Sequence, residues 1–289
     1  MRWLALLGVL LGLACGDDDR PMRDGGGVDA RGDAIVEDTL NPPDVRGTDS
    51  NIDADDGCDD PLDVVFVIDT STSMQDELDQ IASGITSIWN AAHALTADTQ
   101  FGLVVFVDDV VAVNGCSSFA TVEALQAEFM RWRDFTSTNR QPAGGGADSN
   151  TDCPENSLDA LWAAASSCPW RPAATKLIIH ATDDTFAERG TSLSGIPVER
   201  MYSEVAGSLV SNELRVGSFA APGAGEFCGA GTSPNVGQGF HEPYLGMDTL
   251  PNQTGGQAWS IRDVRAGTLD MATAITTLIS DEHCTPFLE

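Results

Sequence analysis

Lysine is nearly missing from this chain: Lys176 is the only one among 289 residues. Lysine and arginine together number 15, against 44 Asp and Glu, for a formal net charge of −29. Such a chain has little with which to neutralise phosphates, and this argues against nucleic acid as a partner. The sequence also lacks a Gly-x-Ser-x-Gly elbow and any paired zinc-ligand motif, which removes two common kinds of hydrolase site. The apolar run Trp3 to Leu13 is too short to span a bilayer.

What is present falls into three parts. Met1 to Ala14 carries one charge, Arg2, ahead of an apolar stretch, and reads as a secretory signal. Cys15 follows at once, in Leu13-Ala14-Cys15-Gly16, which resembles a bacterial lipoprotein signal. Residues 1–15 are therefore expected to be a signal whose Cys15 becomes lipidated and holds the protein at the membrane. The expected location is the exported face of the cell envelope, at the outer membrane or cell surface. Residues 16–57 are rich in Asp and Gly and poor in large apolar residues, so they read as a disordered acidic linker. A coil of that length reaches roughly 35 Å. Its Arg31-Gly32-Asp33 is a tripeptide that integrins bind, and reads more plainly as chance in a segment rich in those three residues.

Residues 58–289 carry the fold. Val64 to Ile68 are consecutive apolar residues, mostly β-branched, as in a strand buried on both faces. The run ends in Asp69-Thr70-Ser71-Thr72-Ser73, an acid and two hydroxyls spaced Asp-x-Ser-x-Ser. Helical spacing follows from Asp76 to Thr96, then a strand over 101–107, a tight Asp108-Asp109 turn and an antiparallel edge strand over 110–113. Helices are expected at 121–132, 157–167, 198–212 and 271–280, and strands at 176–184, ending in acids, 214–220 and 258–261. The 136–153 and 221–256 segments read as loops. This alternation gives an α/β fold, a doubly wound, mostly parallel sheet with one antiparallel edge strand. Ligands of such sheets sit beyond the carboxyl ends of the strands. Oxygen donors placed there suit Mg²⁺, Mn²⁺ or Ca²⁺. Read more plainly, the serines are helix N-caps, and His180, inside a buried run, is a core histidine.

Asp-x-Ser-x-Ser after the first strand, and Thr182-Asp183 after the third parallel strand, resemble the von Willebrand factor A (VWA) domain. Asn150-Thr151-Asp152-Cys153-Pro154-Glu155 and Trp170-Arg171 resemble the version found in integrin β subunits. The resemblance implies a metal-ion-dependent adhesion site of Asp69, Ser71, Ser73, Glu155 and Asp183, holding Mg²⁺ or Mn²⁺. It implies a second site at Asp108, Asn150, Asp152, the Pro154 carbonyl and Glu155. It implies a third at Asp76 and Glu77, where the family usually has two aspartates. Ca²⁺ would occupy these flanking sites. Thr151 is a rival ligand if the loop folds in the commoner family way. The implied function is an adhesion module that captures an acidic group on a protein or other partner. The alternatives are purely structural metal sites, or a metal-dependent hydrolase; haloacid-dehalogenase phosphatases, for one, need an Asp where Ser71 stands.

Six cysteines besides Cys15 argue for three disulfides in an exported protein. Cys58, Cys284, Cys116 and Cys168 fall at the bottom of the proposed sheet, and Cys153 and Cys228 in its top loops. The expected pairs are Cys58–Cys284, Cys116–Cys168 and Cys153–Cys228.

Overall fold

The computed structural model describes residues 58–143, 153–223 and 235–288. All of them fall in one compact unit, Ala54–Glu289. Residues 1–57, including Cys15 and the expected linker, lie outside the described residues, as do Asn150, Thr151, Asp152 and Cys228.

The main sheet has six strands: β1 (Leu62–Asp69), β2 (Thr99–Phe106), β3 (Val110–Ala112), β4 (Thr175–Thr182), β7 (Arg215–Ala220) and β8 (Ala258–Ser260). A separate hairpin joins β5 (Ser192–Leu193) to β6 (Ile196–Pro197). The sheet order is β3-β2-β1-β4-β7-β8, with β3 antiparallel and the rest parallel. This is the expected doubly wound α/β sheet with one antiparallel edge. Every residue of β1 is buried, because the strand lies between β2 and β4 with helices on both faces.

On one face, α1 (Gln75–Leu95), α2 (Val122–Thr136) and α7 (Met271–Glu282) pack against Val64, Phe66, Ile68 and Phe101. Phe66 meets Phe129 of α2 edge-on at 5.1 Å. On the other face, α3 (Ser157–Ser167) and α4 (Tyr202–Ser211) cover Val65, Val67 and Ile178. Gly217 in β7 lets α7 approach closely, since a Cβ there would stand 2.4 Å from Leu278. His180 is fully buried in β4, stacked 4.7 Å from Phe240, with Nδ1 3.0 Å from Ser218 Oγ. Burial pushes its pKa down to about 3, so it is a neutral core residue.

The structure corrects several expected bounds. The helix expected from 198 starts at Tyr202, because Val198 N–H donates to Thr191 O and the β5–β6 hairpin occupies the preceding residues. Ser194 and Gly195 turn that hairpin with positive φ of 45° and 83°. The 221–256 segment ends in a short helix, α5 (Leu250–Gln253), capped by Thr249 and with Pro251 in its first turn, where a missing N–H costs nothing. Another helix, α6 (Ile261–Arg265), follows β8 and is capped by the Ser260 hydroxyl.

The bottom of the sheet is latched where the sequence placed its cysteines. Cys58–Cys284 and Cys116–Cys168 are both bonded, with Cα separations of 5.8 and 5.0 Å. Cys153 is also disulfide-bonded, and its expected partner Cys228 lies outside the described residues. Arg171 forms a bidentate latch there: its backbone N–H and Nε each donate to buried Asp63 at 2.8 Å, and Nη2 reaches Leu62 O at 3.1 Å. No helix among the described residues is long and apolar enough to cross a membrane.

Candidate metal centre

The parallel register aligns Asp69 of β1 with Phe106 of β2, and Ile68 with Ala181 of β4. The exits of three strands therefore meet at one edge. Asp69 ends its strand fully buried, and two donors fix its carboxylate. Ser71 N–H donates to Oδ1 at 2.7 Å, and the Thr182 hydroxyl donates to Oδ2 at 2.7 Å. Ser71 Oγ lies 3.1 Å from Ser73 Oγ, and Ser73 Oγ donates to Asp183 Oδ1 at 2.9 Å. Four residues of the proposed central set, Asp69, Ser71, Ser73 and Asp183, are thus chained by hydrogen bonds from β1 to the end of β4.

Glu155 arrives from the other side. Its backbone is zipped to the loop after β4: Glu155 N–H donates to Thr185 O at 2.8 Å, and Ala187 N–H donates to Glu155 O at 3.0 Å. One carboxylate oxygen from each of Asp69, Glu155 and Asp184 lies within 4.8 Å of the others, and all three residues are buried. Asp184 is a residue the sequence reading did not single out. Its signal is the doubled acid Asp183-Asp184, and strand alternation does not tell which member turns inward. Here the two divide the work: Asp184 joins the carboxylate cluster, and Asp183 faces Ser73 and, through Oδ2 at 3.0 Å, the guanidinium of Arg265.

Burial raises the carboxyl pKa values. Asp69 is pushed up to about 7, by burial first and then by the Asp183 charge. Asp184 is pushed up to about 8, by burial and then by Asp69 and Asp183. Carboxylates gathered out of water need protons or a cation to neutralise them. The donors here are all oxygen, which fits a hard divalent ion. Cys153 Sγ lies 3.0 Å from Asp184 Oδ1 but is held in a disulfide, so it offers no thiolate. Cys58, His283 and Cys284 also cluster, and the Cys58–Cys284 bond likewise removes both thiolates.

The flanking sets are arranged differently. Asp108 is buried, its carboxylate accepts from Gln141 Nε2, and the Gln141 carbonyl in turn accepts from Asp108 N–H at 2.9 Å. Asn156 Nδ2 donates to the Asp108 carbonyl at 2.9 Å. Pro154 follows a cis peptide bond. Of the proposed third site, Asp76 is exposed, whereas Glu77 is fully buried with Oε1 2.5 Å from Arg265 Nε. Burial raises the Glu77 pKa, with Arg265 pulling against it.

Comparison with known proteins bears on the same stretch. The integrin beta chain VWA domain matches residues 58–123, from Cys58 through β3 to the start of α2. The alpha-protein kinase vwkA of Dictyostelium discoideum is 34% identical over 125 residues, which make up 42% of this chain and 18% of that protein. The chain thus spans less than a fifth of that relative's length. An aerotolerance-related membrane protein from Bacteroides fragilis, solved with multiple mutations to serines, is 14% identical with a TM-score of 0.43, over 76% of this chain and 99% of that one. The sequence match covers the strand that ends in Asp69 and the helix that follows it, so over residues 58–123 the chain is similar to the integrin beta chain VWA domain, within a sheet whose order is built around that strand.

Proposed function

We propose that this chain is a binding module that captures an acidic group on its partner through a divalent cation held at the top of the sheet. The observation that carries this reading is the buried trio Asp69, Glu155 and Asp184, with one oxygen of each within 4.8 Å of the others. The Ser71 and Ser73 hydroxyls beside it add neutral donors, which fill coordination positions without adding further negative charge around the ion. Mg²⁺ or Mn²⁺ suits the central set, and Ca²⁺ suits a neighbouring set around Asp108. Asp69 is held in place by Thr182 and the Ser71 amide, and Asp183 by Ser73 and Arg265, so the chain supplies a preorganised oxygen frame. The function is recognition and not catalysis.

Export and lipid anchoring through Cys15 belong to the same proposal. The bonded pairs Cys58–Cys284 and Cys116–Cys168 support an oxidising compartment. Mass spectrometry of the mature N-terminus tests the anchor: an unmodified terminus away from Cys15 removes it.

Isothermal titration with Mg²⁺, Mn²⁺ and Ca²⁺, followed by capture from cell-surface extracts with and without EDTA, tests the module. Ser71→Ala, Ser73→Ala and Asp183→Ala should each abolish EDTA-sensitive capture in a folded chain. Glu155→Ala should be the most damaging, because Glu155 belongs to the buried trio. Metal binding without EDTA-sensitive capture would favour a purely structural ion, and a wild-type chain that binds no divalent ion ends the proposal.

A further inference from the structure

One guanidinium sits where the family resemblance asks for a third ion. Arg265, the last residue of α6, reaches across to the start of α1. Its Nε lies 2.5 Å from Glu77 Oε1, and its Nη2 lies 3.0 Å from both Asp183 Oδ2 and the Ser73 carbonyl. The two carboxylates come from elements more than a hundred residues apart in sequence, and both are buried. Breaking such a pair by removing the cation leaves uncompensated charge out of water, which is strongly unfavourable. The contacts Arg265 makes are the ones a divalent ion at this spot would use: a buried carboxylate, a second carboxylate shared with the central set, and a main-chain carbonyl. Asp76, the other acid of the expected third pair, is exposed and outside this arrangement.

We infer that Arg265 is a tethered cation that replaces a third divalent ion, so that the rim takes no metal at Asp76 and Glu77, and that it positions Asp183 against Ser73. This inference deepens the metal-centre reading above, but it concerns a separate set of contacts. A fixed guanidinium differs from an exchangeable ion in one functional respect. Its charge does not depend on the free Ca²⁺ concentration, so the Asp183 side of the centre keeps its geometry whatever the ionic surroundings. It also offers its donors in a planar fork that matches carboxylates, which a lysine would not reproduce.

The test counts ions on the full chain. Native mass spectrometry and calorimetric titration with Ca²⁺ and Mn²⁺ give the number of divalent ions bound by the wild type. Asp76→Asn, at an exposed position, should leave that number unchanged. Arg265→Ala frees the Glu77 and Asp183 carboxylates and the Ser73 carbonyl, and should raise the number by one. Glu77→Gln added to Arg265→Ala should return it to the wild-type value. Should Arg265→Ala fail to fold, Arg265→Gln keeps much of the stem and carries the same expectation of one extra ion. An ion lost from the wild type on Asp76→Asn overturns the inference, as does an unchanged count in the folded Arg265 variant. A wild type that binds no ion at all refutes the central metal reading instead, and the gain of one ion on Arg265→Ala would still support the tethered cation.

Discussion

Thr182 donates its hydroxyl to Asp69 Oδ2 at 2.7 Å, joining the last residue of β4 to the last residue of β1 across 113 positions of sequence. The bond is fully buried. It holds one lone pair of the carboxylate while the Ser71 amide holds the other oxygen, so the orientation of Asp69 is set before any ligand arrives. Two adjacent parallel strands ending at the same level are what bring these residues together.

Thr182→Val preserves shape and removes that donor. A buried acceptor left without its partner costs about 1–3 kcal/mol, and chemical denaturation should show a loss of that size. Loss of a group that orients a ligand typically weakens metal affinity about 10–100-fold. Titration with Mn²⁺ should show a drop in that range, and unchanged affinity would mean that Asp69 needs no support from β4.

Asp184→Asn separates the two members of the Asp183-Asp184 pair. Asp184 lies in the carboxylate trio, so its replacement should lower divalent affinity by at least about tenfold, as for lost outer-shell partners. Asp183→Asn should instead weaken the link to Ser73 and Arg265, with the larger effect on ligand capture. If Asp184→Asn binds metal as the wild type does, Asp183 alone supplies the β4 contribution.

The legible and illegible parts of this molecule divide by range. β1 was readable because Val64 to Ile68 are apolar on both faces, and Asp-x-Ser-x-Ser marked its end. The pairs Cys58–Cys284 and Cys116–Cys168 were readable because strand direction places all four at one end of the sheet. The β5–β6 hairpin was missed although Ser194-Gly195 is a turn dipeptide, since two-residue strands carry no periodicity. Helices α5 and α6 are a single turn or so each, too short for a 3.6-residue pattern to emerge. Arg265 could not be assigned to Glu77, because nothing local links residues 188 apart. Gln141 on Asp108 is the same kind of case.

Reduction tests the disulfide latches. Cys58–Cys284 closes a separation of 226 residues and Cys116–Cys168 one of 52, both constraining the unfolded chain. Each should contribute about 2–5 kcal/mol, so Cys116→Ser with Cys168→Ser, and separately Cys58→Ser with Cys284→Ser, should lower Tm by several degrees or more. Non-reducing peptide mapping should recover both linked pairs, and free thiols at these positions would show that the latch is not formed.

The metal-free protein should lose stability as pH rises from about 4 to 8. The sign follows from linkage: burial raises the folded-state pKa of Asp69 to about 7 and of Asp184 to about 8, from an ordinary value of 3.8. Between those limits the folded chain binds protons that the unfolded chain has released, so unfolding becomes easier with each unit of pH. Below about pH 4 both states are protonated at these residues and the penalty is absent; above about pH 8 it is fully present. A divalent ion displaces the same protons, so metal affinity should strengthen across this window while the stability of the ion-free chain falls. Thermal melts in EDTA at half-unit steps of pH, repeated with excess Mn²⁺, give the two curves. They should diverge with increasing pH, because an ion bound only by the folded state raises stability by mass action. Asp184→Asn should flatten the EDTA curve by removing one of the two raised carboxyls. An EDTA curve that rises between pH 4 and 8 would mean that neither carboxyl is protonated in the folded chain, and that the cluster is neutralised by its neighbours without a metal.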